Sequence, residues 1–266
     1  MSEHDHWQLK IFQKTLKKKE KLQVISRLLP QLQGQRVLDL GCAKGTLSYF
    51  LQRVGGNWVF ADLDLVNVSA ASQLVGQSCV CVDPAGLSFA NECFDGIVSL
   101  DLIEHVRDDT NLMKEIARIL KPGGWLVLST PITGRWFVLN QVKKWVGLPP
   151  SAYGHVVEGY SLDSLSGMLR NAGFEVLHRQ TYSKFFTELI ELLINVVFVK
   201  ALGKRSDAVQ TRDGHISPGS AADLKKHARA FRFYSVIYPI SWLIARLDRL
   251  LVLHSGYATL IKARKR

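Results

Sequence analysis

Residues 37–51 read VLDLGCAKGTLSYFL: a short apolar strand holding an acid, a glycine turn and the start of a helix in immediate succession. Gly41 permits the sharp turn and the close approach of a ligand, and Gly45 lets the helix start pack against the strand. Backbone N–H groups left free at a helix start then face the polar end of whatever binds there. Many nucleotide sites share such a turn, so the flanking sequence has to decide its meaning.

Downstream, the apolar runs WVFAD at 58–62, CVCVD at 79–83, GIVSL at 96–100 and WLVLST at 125–130 read as buried strands, with Gly, Asp or Pro near their ends. Spans of helix length separate them. Strand and helix in alternation imply right-handed crossovers and a parallel sheet covered on both faces. FEVLHRQTY at 174–182 makes a sixth strand and YATLIKARK at 257–265 a seventh. Asp62 closes the second strand 21 residues beyond Gly41, a separation at which a carboxylate can accept ribose hydroxyls, and Asp83 closes the third. With Asp39 they would line the crevice at the carboxyl ends of the strands. Each could serve instead as a helix cap or turn residue.

The ends of the chain differ from this core. Residues 7–33 place Trp7, Ile11, Phe12, Leu16, Leu22, Ile25, Leu28 and Leu29 among lysines at roughly helical spacing. Between the sixth and seventh strands, FFTELIELLINVVFVKAL at 185–202 reads as an apolar helix carrying Glu188, Glu191 and Asn195. A polar loop with Gly203, Asp207, Gly214, Pro218 and Gly219 follows, then a second apolar stretch at 231–253 interrupted by Pro239. Its uncharged run, Phe233 to Ala245, has 13 residues. At about 1.5 Å per residue that falls short of a hydrocarbon core of about 30 Å. The expected organisation is a basic amphipathic segment at 1–34, a core at 35–183, an apolar helical insertion at 184–256 and a final strand with a basic tail at 257–266.

Of the 266 residues, 47% are hydrophobic and 21% charged, which excludes a disordered or low-complexity chain. The net charge of +11 is uneven: +5 over 1–36, −3 over 37–183 and +9 over 184–266. Basic ends around a near-neutral centre suit contact with something anionic such as membrane lipid or nucleic acid, or simply a solvated basic face. The four cysteines, Cys42, Cys79, Cys81 and Cys93, lack the CxxC spacing of structural zinc. The N-terminal stretch lacks the apolar core of a secretion signal, and reduced thiols in a cytoplasmic protein are the expected state.

Taken in order, VLDLGCAKG, VFADLD, FDGIVSLDLIEHV at 94–106, ARILKPGGWLVLSTP at 117–131 and GYSLDSLSGMLRNAGFEV at 159–176 resemble the motifs of class I S-adenosylmethionine-dependent methyltransferases. The resemblance covers roughly residues 35–183, and 257–265 is similar to the family's last, antiparallel strand. It implies an α/β Rossmann-like sheet of seven strands, mostly parallel, with helices on both faces. It further implies S-adenosyl-L-methionine as cofactor. Asp39 and the turn of Gly41, Cys42, Ala43 and Gly45 would lie near its methionine moiety. Asp62 with Leu63 would hold the ribose hydroxyls, Asp83 with Pro84 would meet the adenine amino group, and Ser99 and Leu100 would flank the cofactor. Ala43 stands where the family often has glycine; with a negative φ it still admits the cofactor.

Methyl transfer from a sulfonium depends chiefly on alignment, and a base helps when the acceptor is a hydroxyl. His105 and His155 are the candidate bases because imidazole titrates near neutral pH, although either could merely pack or cap a helix. Asp101, Glu104 and His105 stand at i, i+3 and i+4 and share a face if the segment is helical. Related quinone O-methyltransferases associate a similar segment with magnesium, while many relatives keep the string without metal, and no metal is expected here.

The insertion and the N-terminus set the acceptor. Apolar helices bounded by arginines and aromatic residues suit shallow burial in a bilayer, with about 1 kcal/mol from each Lys or Arg near an anionic leaflet. The leading expectation is an enzyme peripheral on the inner face of the membrane that methylates a hydrophobic or lipid-linked small molecule. Its competitors are a soluble acceptor with the insertion as lid or dimer interface, RNA methylation, and a non-catalytic scaffold. No recognition module for nucleic acid is visible.

Overall fold

The computed structural model describes residues 6–134, 137–202, 224–225 and 228–266. Its strands are β1 (Arg36–Leu40), β2 (Asn57–Asp62), β3 (Cys79–Cys81), β4 (Phe94–Leu100), β5 (Leu120–Pro131), β6 (Phe174–Tyr182) and β7 (Ala258–Lys265). They form one sheet in the order β3-β2-β1-β4-β5-β7-β6. Strands β1 to β5 pair in parallel, and β7 runs antiparallel to both β5 and β6. The expected sheet is present, with β3 two residues shorter than its apolar run because the chain turns at Asp83.

The helices are α1 (Trp7–Phe12), α2 (Leu16–Leu28), α3 (Thr46–Leu51), α4 (Leu65–Val75), α5 (Asp109–Ile119), α6 (Val138–Trp145), α7 (Leu162–Asn171), α8 (Phe185–Leu202) and α9 (Ala228–Ala245). Successive residues of a strand point to opposite faces, and β1 feeds two cores accordingly. Leu38 and Leu40 pack with Leu112, Met113 and Ile116 of α5 and with Leu165 and Leu169 of α7. Val37 packs on the other face with Val24 and Ile25 of α2 and Val75 of α4. Truncating a fully buried leucine such as Leu38 to alanine costs about 2–5 kcal/mol. Helix α5 starts where Asp108 accepts the Asn111 amide, and α7 starts on a reciprocal cap between Ser161 and Ser164.

Helices α8 and α9 stand between β6 and β7 in the chain. Leu192 of α8 joins a third cluster with Leu139 of α6, Leu148 and Tyr257. Asp248 receives the Phe186 and Thr187 amides at 2.7 and 3.0 Å and so caps α8 from the far end of the insertion. Glu188 gathers Lys17 of α2 at 3.1 Å, Lys143 of α6 and the Ser183 hydroxyl at 2.7 Å. No helix among the described residues is long and apolar enough to cross a membrane. The polar loop expected around Gly203 to Gly219 lies outside the described residues.

Candidate active site

The glycine turn leaves β1 beside β4, where the sheet order reverses direction and a crevice opens at the carboxyl ends of the strands. Gly41 has φ +88°, and a Cβ there would lie 3.0 Å from the Leu102 Cβ. Gly45 has φ +78°, and its close neighbour is the Ala71 Cα of helix α4, 2.9 Å from where a Cβ would sit, rather than the strand. Ala43 does not take the negative φ on which admission of the cofactor is conditioned and adopts φ +46°. The hydrogen bonds explain the reversal. Gly41 and Cys42 both donate to the Ala61 carbonyl, Ala43 donates to Asp62 Oδ2 at 2.8 Å, and Gly45 donates back to Cys42. Holding a non-glycine residue in that region costs about 1–2 kcal/mol.

Asp39 is buried beneath the turn and accepts the Ser48 hydroxyl at 2.6 Å, while burial pushes its carboxyl up to about 7. Asp62 accepts Ala43 on one oxygen and the Asp64 amide and Asn67 side chain on the other, each at 3.0 Å. Asp39, Gly41, Cys42, Ala43, Asp62, Leu63, Pro84 and Leu100 all line one cavity of about 540 Å³, ample for a small ligand. Asp83 does not line it: the side chain is exposed and caps its own turn by accepting the Ala85 amide at 2.8 Å. Ser99 lies buried in β4 with its hydroxyl unpartnered among the described residues, and Leu100 beside it reaches the cavity. Trp7, Gln8, Lys18 and Lys21 of the N-terminal helices also line the crevice, a role nothing in the core motifs signals.

A second cavity of about 820 Å³ adjoins the first and shares Ile11, Lys18, Lys21, Asp101 and His105 with it. Its far walls come from α6, α8 and α9. The segment after β4 is not the helix that would align Asp101, Glu104 and His105. Asp101 takes φ +52°, pairs with Lys21 and accepts the Ser129 hydroxyl, and one tight turn, Ile103–His105, carries the other two. His155 comes beside His105 instead. The Glu104 carbonyl accepts the Val156 and Val157 amides, and the two imidazoles meet edge-on with ring centres 4.9 Å apart. His105 Nδ1 lies 3.0 Å from the Gly154 carbonyl and donates to it, which leaves Nε2 as the acceptor. Burial, then the neighbouring His105, presses His155 down to about 4, so it stays neutral at physiological pH.

Glu104 is fully buried, and burial together with Asp101 pushes its carboxyl up. One oxygen accepts the Thr130 hydroxyl at 3.0 Å; the other oxygen and His155 Nδ1 are buried without a hydrogen-bond partner among the described residues. A ligand atom from each of Glu104, His105 and His155 falls within 4.8 Å of the others. One carboxylate and two imidazoles suit a divalent transition ion better than magnesium, which prefers oxygen.

An open α/β sheet with a glycine turn and two buried strand-end acids at its switch point defines a Rossmann-like nucleoside-binding fold. The profile of the methyltransferase-domain family matches residues 12–179, and the chain belongs to that family. It is 30% identical over 168 residues to the ubiquinone biosynthesis O-methyltransferase of Parvibaculum lavamentivorans, covering 55% of this chain and 66% of that protein. It is 38% identical over 104 residues to the protein of the same description from Rhizobium johnstonii, covering 37% and 42%. The chain thus spans less than two thirds of the length of these curated relatives. An S-adenosylmethionine-dependent methyltransferase from Mesorhizobium loti shares the fold at 16% identity, with a TM-score of 0.54 over 91% of this chain and 96% of that one.

Proposed function

We propose that the protein is an S-adenosylmethionine-dependent O-methyltransferase acting on a hydrophobic, lipid-linked small molecule at a membrane surface. The observation that carries this reading is the pair of adjoining cavities with His105 on their shared wall. The description of the relatives supports an oxygen acceptor on a quinone-type precursor.

S-adenosylmethionine, when bound, supplies a methyl group already activated on a sulfonium. The glycine turn and Asp62 orient the nucleoside, and Asp39 offers a carboxylate to the cationic end. His105 stands on the wall common to both cavities, and its Nε2 takes the proton of the acceptor hydroxyl as the new C–O bond forms. His155 stays neutral and holds the His105 ring edge-on. A second reading rests on the two unpartnered ligand atoms: Glu104, His105 and His155 would hold a divalent ion that acidifies the acceptor hydroxyl.

Helix α9 supports the membrane. Tyr234, Ile237, Ser241 and Ile244 form a stripe on the larger cavity. Val236, Ile240 and Leu243 form a second stripe, each 63–75% exposed. A helix apolar on both sides needs cover on both, and arginines border the outer stripe, with Arg246 stacked 3.8 Å over the Trp242 ring. Cavity and outer stripe lie on one helix, so an acceptor could pass from bilayer to site without crossing water.

Incubation with methyl-labelled cofactor and a fractionated cell extract tests the reading. Label should enter the organic phase. Label confined to the aqueous phase refutes the lipid-linked acceptor, and absence of any transfer refutes the enzyme.

A further inference from the structure

Six lysines line the larger cavity, and five are engaged. Lys17 and Lys143 bind Glu188, Lys21 binds Asp101, Lys144 binds Glu158, and Lys14 lies 5.1 Å over the Tyr238 ring. Lys18 has no hydrogen bond, ion pair or ring contact among the described residues, and it stands on the wall common to both cavities. Its surroundings are unfavourable to a lone ammonium: burial, followed by the charge of Lys21, lowers it to about 8. Glu191 and Asp101 offset this only in part. Asp101 is held by Lys21 and Ser129, and burial pushes the Glu191 carboxyl toward its neutral form. A half-buried cation whose nearby acids are shared or partly neutralised is costly, and the cost falls when a ligand brings an anion to it.

The rest of the cavity has the opposite character. Leu193, Ile194 and Val197 of α8 face Ile237 and Ile244 of α9, and the exposed stripe of α9 continues the apolar surface outward. Resting on the methyltransferase reading above, we propose that the acceptor is an anionic amphiphile whose phosphate or carboxylate sits on Lys18 beside the reacting hydroxyl, with its apolar tail between α8 and α9. Position decides the arrangement. Lys18 shares its wall with His105, so the anion belongs at the reacting end of the acceptor. A charge-assisted contact of this kind selects among acceptors that a purely apolar groove would admit alike.

Isothermal titration of the full chain loaded with S-adenosylhomocysteine, against dodecyl phosphate, dodecanoate and dodecanol below their micelle concentrations, tests this without turnover. At least one anion should bind about tenfold tighter than the alcohol, the stronger of the two naming the head group. Lys18→Met should bring the three to parity, and Lys18→Arg should keep the preference. Thermal melting of both variants checks the fold, and Lys18→Met should melt no lower than the native protein. Equal affinity for alcohol and anions, or a preference that survives in Lys18→Met, overturns the proposal. Failure of the methyltransferase reading shows separately, as absence of heat when S-adenosylhomocysteine itself is added; the amphiphiles are then titrated into unloaded protein.

Discussion

Asp62 accepts the amide of Ala43 at 2.8 Å, and Ala43 holds a left-handed φ of +46° where that bond forms. A strand-end acid thereby shapes the loop of the neighbouring strand as well as facing the crevice. Glycine adopts this conformation without the Cβ clash but loses more freedom on folding, so Ala43→Gly should stabilise the protein by up to about 1 kcal/mol. Gly45→Ala should do the reverse. Its new Cβ would stand 2.9 Å from backbone in α4 at φ +78°, and a loss of about 1–3 kcal/mol is expected. Urea midpoints of the two variants, moving in opposite directions, check the pair.

Asp39 connects stability to cofactor binding. Its carboxyl rises from 3.8 unfolded to about 7 folded because burial disfavours the charge. Between those values the folded state keeps a proton that the unfolded state releases, so stability falls as pH rises through this window and levels off above it. Asp39→Asn keeps an acceptor for Ser48 and removes the charge. The cofactor-free variant should equal the native protein below pH 4 and exceed it at pH 8, by about 4 kcal/mol at most. The native protein should bind the cofactor more tightly at pH 8 than at pH 6, and Asp39→Asn should lose that dependence. Denaturation and calorimetry at the two pH values report both.

Glu188 behaves oppositely. Burial would raise it, but Lys17 and Lys143 outweigh burial and hold it down to about 2. Its contribution is complete above the unfolded value of 4.5 and is lost as pH falls through about 2. Glu188→Gln leaves two lysines facing a neutral group where α2, α6 and α8 meet, at a cost of about 3–5 kcal/mol. The native stability curve should slope between pH 4.5 and pH 2, and the variant's should be shallower there.

The sheet was legible because strands buried on both faces leave runs such as VLDL and GIVSL, and the glycine turn announces the crevice by itself. The reacting site was only half legible. His105 and His155 stood out by residue type, but they lie 50 positions apart, and their meeting depends on backbone hydrogen bonds from Val156 and Val157 to Glu104 that no periodicity encodes. Spacing puts Asp101 on a face with Glu104 and His105 only if the segment is helical, whereas Asp101 takes a left-handed φ of +52° and only a short turn follows it. Lys18 was one cation in a basic run. Only the pairing of every neighbouring lysine sets it apart.

His105→Ala should lower kcat by about 10²–10⁴-fold with cofactor affinity unchanged, since the imidazole acts on the acceptor's proton. The two readings of the histidine cluster separate on added metal. If His105 acts alone, chelator and divalent ions leave turnover unchanged; if it is a ligand, chelation removes activity and Glu104→Gln is as damaging as His105→Ala. Single-turnover rates with and without chelator decide between them.

Membrane docking requires that the outer stripe of α9 be separable from the inner one. Val236, Ile240 and Leu243 face out at i, i+4 and i+7, while Ile237 and Ile244 face the cavity. Replacing the three outer residues with serine should leave the fold and the cavity intact, because exposed side chains contribute little to folding stability. Each large apolar side chain that enters a bilayer contributes about 1.5–3 kcal/mol, so the triple variant should lose nearly all flotation with anionic liposomes. High salt should weaken the native protein's binding by screening the arginines, without abolishing it. A triple variant that floats as well as the native protein would assign the stripe to a protein partner instead, and its sedimentation coefficient against the native one would show whether that partner is a second copy of the chain.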